Sequence, residues 1–136
     1  MADAVDTLVI VPQEAELHVV RLLNRSDGTG ETNVVKVDKS TLVNVNGLEP
    51  DKLVIEQILS SIQGFTSVQF NFDHTTDDEA VILIPGNDYR NYGALGPGRA
   101  IKDPGSTGGT GDLLLTVYGP VSGATYDITL VIRMLS

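Results

Sequence analysis

Cysteine and tryptophan are absent from this chain, and aromatic residues make up only 5% of it. Without Cys, disulfide frameworks, thiolate zinc sites and cysteine nucleophiles are excluded, which fits a reducing cytoplasm. Few aromatics and no Trp weaken a sugar-binding reading, because sugar platforms are built from exposed rings. Basic residues are scarce: nine Lys and Arg stand against 18 Asp and Glu, for a formal net charge of -9. Phosphate backbones repel such a surface, so nucleic acid is not expected as a partner. No long apolar run occurs either. Leu8-Val9-Ile10-Val11 stops at Pro12, far short of the roughly 18 apolar residues of a membrane span. Asp3 and Asp6 stand where a secretory signal needs basic residues, so no leader is expected. Histidine occurs only at 18 and 74, with no His-x-His and no Gly-x-Ser-x-Gly. The usual three-His metal centre and the nucleophile elbow are therefore missing, and no catalytic residue, cofactor or resident metal is expected.

What is present is strand rhythm. The 136 residues suit one domain. Tyr126, Ile128, Leu130 and Ile132 alternate with Thr125, Asp127, Thr129 and Arg133, the mark of a half-buried strand. Leu113 to Tyr118 is apolar on both sides, which places it centrally in a sheet. Gly119-Pro120-Val121-Ser122-Gly123 joins the two by turn chemistry, as a hairpin or a sandwich corner. Val68, Phe70 and Phe72 mark another strand, and Ala80 to Ile84 a short one stopped by Pro85-Gly86. Leu17–Leu23 and Val34–Val37 flank Asp27-Gly28, a hairpin signal, and Thr41–Val45 runs into Asn46-Gly47, another. Lys52 to Ile62 fits a helical face through Val54, Ile55, Ile58, Leu59 and Ile62, or a strand by its β-branched content. Eight or nine short strands predict an all-β fold: a jelly-roll-like antiparallel β-sandwich of about eight strands. Residues 1–12 read as an N-terminal arm and 13–136 as the single sandwich domain. Gly86 to Gly111, rich in Gly, Pro, Asn and Asp, reads as one long loop.

Three constellations carry what chemistry there is. Asp73, Asp77, Asp78 and Glu79 surround His74 and could offer carboxylates to calcium, but the spacing is not that of an EF-hand, so a solvated loop is expected. The Gly-rich run 96–111 lacks the Lys-Ser/Thr and following helix of a phosphate loop, and suits close backbone packing instead. Arg90, Arg99 and Lys102 gather around it, either balancing Asp88 and Asp103 or forming a contact patch. Tyr89 and Tyr92 flank Arg90, a pairing enriched at protein interfaces but also met in sandwich cores.

The stretch DYRNYGALGPGRAIKDPGSTGGTGDLLLTVYGPVSGATYDITLVIRM resembles small virion proteins of tailed bacteriophages. The matching positions are Gly93-Ala94-Leu95, Gly111-Asp112, Leu115-Thr116 and the Gly-x-x-Tyr-x-Ile-x-Leu strand from Gly123 to Leu130. Leu53 to Asp73 is similar to a preceding block; the N-terminal half matches only in rhythm. The resemblance departs at Arg133, which is followed by Met134 and not by a second basic residue. It implies a capsid decoration or cement protein of the virion surface, made in the host cytoplasm. On that reading it is a homotrimer, not an enzyme, and binds the major capsid protein. The expected contact residues are Leu8 and Ile10 of the arm with Tyr89, Arg90, Tyr92, Arg99 and Lys102. The alternative is a receptor- or glycan-binding module of a phage tail or fibre, or of a secreted protein.

Overall fold

A computed structural model describes residues 4–14, 17–43, 47–92 and 100–135, and within 4–14 only the side chains of Val5 and Thr7. The described residues form ten strands: β1 (Ala4–Glu14), β2 (Leu17–Asp27), β3 (Val34–Val37), β4 (Lys52–Gln63), β5 (Ser67–Phe72), β6 (Asp78–Leu83), β7 (Gly86–Asn91), β8 (Ile101–Lys102), β9 (Leu113–Tyr118) and β10 (Ser122–Leu135). No described helix is long and apolar enough to cross a membrane.

Two antiparallel sheets pack face to face. One runs β1-β2-β10-β4-β7 with β8 added to β4, and the other runs β3-β9-β5-β6. Setting β1 and β8 aside, eight strands remain, and they pair from the outside inwards: β2 with β10, β3 with β9, β4 with β7, β5 with β6. That is a long hairpin rolled across two sheets, the jelly roll. The segment read as an arm carries β1, hydrogen-bonded to the edge of β2.

Alternation fills the interior. β10 turns Tyr126, Ile128, Leu130, Ile132 and Met134 inwards, all nearly inaccessible, against Val68, Phe70, Phe72, Leu113 and Leu115 of the facing sheet. Lys52–Gln63 resolves as a strand because Leu53, Ile55, Ile58 and Ile62 all reach that interior, with one bulge between its pairing to Val131 and to Ile132. β9 is central, as its apolar faces demand.

Three expectations fail, two of them because pairing is decided far away in the chain. Asp27-Gly28 does not close a hairpin: β2 and β3 lie in different sheets. Of the two readings of the turn after β9, the corner is the one found, since β10 belongs to the opposite sheet. Lys39–Thr41 is a 3-10 turn capped by Asp38, so the strand expected at Thr41–Val45 does not start there; residues 44–46 lie outside the described part. The presumed loop from Gly86 contains β7, whose polar residues gain strand geometry only by pairing with β4.

One ionic knot sits inside. Glu31, on the β2–β3 crossover, accepts from Asn24 Nδ2 (2.9 Å) and the Tyr126 hydroxyl (2.6 Å) on one carboxylate oxygen, and from Lys36 Nζ on the other (2.5 Å). The Lys36 and Glu31 side chains are only 3% and 7% exposed, so the pair is held by hydrogen bonds and not by water. It ties β2 and β10 of one sheet to β3 of the other.

Two comparisons check this architecture. Ile128→Asp puts a carboxylate in the core and is expected to cost about 3–5 kcal/mol or abolish folding, whereas Thr129→Asp, one residue on, leaves denaturant unfolding near wild type. Lys36→Met strands the Glu31 carboxylate and is expected to cost about 3–5 kcal/mol, part of which Glu31→Gln in the same chain restores.

Candidate functional site

The pleat of β7 divides the expected contact residues. Tyr89 pairs with Leu59 and points out of the larger sheet, 57% exposed, its hydroxyl donating to Gln57 Oε1 at 2.8 Å. Arg90 points the other way. Its guanidinium donates to Asp88 Oδ2 (2.7 Å) and the Tyr92 hydroxyl (3.2 Å), contacts that raise its pKa, and Tyr92 packs against the core. Lys102 is exposed on β8, beside Val54. Leu8 pairs with Arg21 in β1, but the side chains of Leu8 and Ile10 lie outside the described residues, as does Arg99. The described candidates therefore do not form one patch.

A different surface is continuous. The registers place Arg21, Thr129, Leu59 and Tyr89 in one row across β2, β10, β4 and β7, with Leu23, Asp127, Ser61 and Asn87 in the next. Arg21 reaches diagonally to Asp127 with two hydrogen bonds of 2.9 and 2.6 Å, which hold the Asp127 carboxyl below its ordinary range. Their charges cancel, and Ser61 donates to Asn87 at 2.7 Å. What stands out of this outer face is Leu59, 54% exposed, beside Tyr89. An open hollow of about 480 Å³ lies among Arg21, Leu59, Ser61, Asn87, Asp127 and Thr129. Leu59 was legible as a large apolar residue on the polar side of β4, between Gln57 and Ser61.

The second concentration of polar groups is a clasp between the β5–β6 turn and the segment Asp103–Gly111. Asp73 N donates to Asp112 O, Gly111 N to Asp73 O and Thr75 N to Thr107 O, at 2.9, 2.9 and 3.1 Å. Gly109 is required there: at φ +68, a Cβ would stand 2.4 Å from Asp73 O and 2.5 Å from His74 Cα. The Gly-rich run does pack backbone on backbone. The acids of 73–79 do not converge on one point. Asp73 Oδ2 accepts from the Thr110 hydroxyl at 2.8 Å, Asp77 Oδ1 accepts from His74 N at 3.2 Å, and Glu79 is exposed. His74 joins the clasp from inside. Its Nδ1 meets Gly108 O at 2.8 Å and its Nε2 meets Asp103 Oδ1 at 2.6 Å, with Asp103 only 1% exposed. A carbonyl can only accept, so Nδ1 carries a proton. Neither nitrogen is free to act as a general base. The Asp103 partner, 29 residues away, is invisible to spacing rules.

Comparison with protein-family models, with curated proteins and with solved structures finds no match.

The two histidines are expected to titrate in opposite directions. Burial works against a charge on His74, but the Gly108 carbonyl and the Asp103 and Asp78 carboxylates outweigh it and raise its pKa. Burial alone lowers that of His18, which is 7% exposed, with no hydrogen-bond partner for Nδ1 among the described residues. Hence the His74 contribution to stability is full below its unfolded pKa of about 6.5 and is lost as pH rises through the raised value. The His18 contribution is full above about 6.5 and is lost as pH falls towards the lowered value. Ring-resonance NMR titration, with His74→Gln and His18→Gln assigning the signals, reads both midpoints; equal midpoints contradict these environments.

Proposed function

We propose that this protein is a structural virion protein that binds the outer surface of a tailed-phage capsid and stabilises the head, a decoration or cement protein. The observation that carries the reading is the row of half-buried Thr129 with exposed Leu59 and Tyr89 on the outer face of a filled jelly roll. Such a body works by area. A large apolar side chain beside an exposed tyrosine, rimmed by self-satisfied polar groups, is the anatomy of a contact surface. The resemblance of the stretch from Asp88 to Met134 to small phage virion proteins points the same way.

On this reading the partner is the major capsid protein and the protein acts as a homotrimer on the capsid surface after synthesis in the host cytoplasm. A protein that binds only the assembled, expanded shell stabilises that state by mass action, and symmetry adds avidity. The excess of acid suits a basic or mixed capsid surface.

One observation favours a second reading, a receptor- or glycan-binding module. The hollow around Leu59 combines that apolar side chain with Asn87, Ser61, Arg21 and Asp127, a mixture that small ligands require.

Leu59→Ser and Tyr89→Ser are expected to shift stability by about 1 kcal/mol or less and to weaken binding to expanded heads by about tenfold or more. Sedimentation of the purified chain is expected to give a symmetric oligomer. A strict monomer that ignores heads overturns the capsid reading; specific glycan-array hits abolished by Tyr89→Ser establish the alternative.

A further inference from the structure

The clasp holds an electron-rich point that its own hydrogen bonds leave incomplete. With Nδ1 committed to Gly108 O, the other ring nitrogen of His74 faces carboxylate oxygens only: Asp103 Oδ1 at 2.6 Å and Asp78 Oδ2 at 3.8 Å. Asp78 Oδ2 is sealed from solvent and accepts no hydrogen bond among the described residues. A buried carboxylate oxygen without a donor is costly; the His74 ring answers it only across 3.8 Å, and a metal ion replaces the Nε2 proton with a closer charge. The three ligand atoms lie within 4.8 Å of one another, on the buried His74 and Asp103 and the half-buried Asp78. His74 and Asp103 also line a hollow of about 230 Å³ that gives access from outside. Lys39, on the same wall, is turned away, its ammonium donating to Pro50 O at 3.0 Å and Asp51 O at 3.3 Å. Lys52 also lines the hollow, over Gly105.

We propose that His74 Nε2, Asp78 Oδ2 and Asp103 Oδ1 form a site for one zinc-class divalent cation, which staples the β5–β6 turn to the Asp103–Gly111 segment. One imidazole and two carboxylates are the donor set of zinc and its first-row neighbours; calcium takes six to eight oxygens and no nitrogen. Ligand atoms around tetrahedral zinc lie about 3.3 Å apart, given bonds of about 2.0–2.1 Å. The two spacings from His74 Nε2, 2.6 and 3.8 Å, lie on either side of that value, and water completes the shell. The site is independent of the capsid reading.

The test uses the full chain, stripped with a chelator and titrated calorimetrically with zinc, manganese or calcium chloride while thermal midpoints are followed. One zinc per chain, a raised midpoint and no response to calcium are expected. Asp78→Asn is the decisive variant. The substitution removes both a buried donor-less oxygen and a charge 3.8 Å from His74, so its zinc response is read against its own metal-free midpoint. Zinc affinity falls by at least about tenfold, since loss of even an outer-shell partner costs about 10–100-fold. His74→Gln abolishes the response. Absence of zinc uptake by the wild type, calcium binding as tight as zinc, or zinc binding unchanged by Asp78→Asn overturns the assignment.

Discussion

Strand β10 hydrogen-bonds along both of its edges, to β2 through ten residue pairs and to β4 through eleven, and the rest of the structure depends on that double ladder. Side chains of a strand alternate between faces, so a slip of one residue on either edge would turn Tyr126, Ile128, Leu130 and Ile132 out to water and bring Asp127 and Arg133 inside. The ladder to β4 contains one irregularity, between Val131 and Ile132, and the bulge lets β4 keep Ile58 and Ile62 on one side of it and Leu53 and Ile55 on the other, all turned inwards. With β10 fixed, β2 and β4 are fixed, and their neighbours β1 and β7 follow.

The second sheet is held to the first by apolar contact and by the Glu31 knot. Apolar contact alone is indifferent to small sliding of one sheet over the other. The carboxylate is not, because it needs the Tyr126 hydroxyl from β10, the Asn24 amide from β2 and the Lys36 ammonium from β3 together. Val117 N donates to Glu31 O, which adds β9. The crossover that Asp27-Gly28 begins is thus pinned where the chain changes sheets. The same logic repeats at the clasp, where Gly109 allows the backbones to touch and Asp103, His74 and Gly108 bond across the gap.

What could be read from the residues was the two-residue rhythm wherever burial is one-sided. β5 and β10 announce themselves because Phe70 and Ile128 each stand between residues of different character, and β9 because its apolar run is buried on both faces. β7 does not. Gly86-Asn87-Asp88-Tyr89-Arg90-Asn91 has no buried face, and its strand state comes from β4 lending it an edge. The Asp-Gly turn signal reports local backbone freedom correctly, Gly28 having φ +100. It is silent on which sheet the next strand joins, since β3 is chosen by Leu113–Leu115, some 80 residues on. The candidate surfaces obey the same division. Tyr89 was visible by residue type. Its separation from Arg90 and Tyr92 follows from the pleat once β7 is a strand, and its union with Leu59 and Thr129 follows from two registers that no local pattern contains.

That division bears on function. A jelly roll with Phe70, Phe72, Tyr126 and Met134 packed across its middle leaves chemistry only to its outer faces and connecting segments. On the outer face of the larger sheet, polar groups satisfy one another: Arg21 with Asp127, Ser61 with Asn87, Tyr89 with Gln57. Groups already paired present little to a reacting substrate and need little desolvation energy to be covered by another surface. Leu59, which has no polar partner to lose, gains most from being covered. The clasp differs in kind, because its Asp78 Oδ2 accepts no hydrogen bond among the described residues, where the outer face is satisfied. A surface that is complete in itself suits repeated docking of a rigid block, and a point that is incomplete suits an ion that keeps the block rigid.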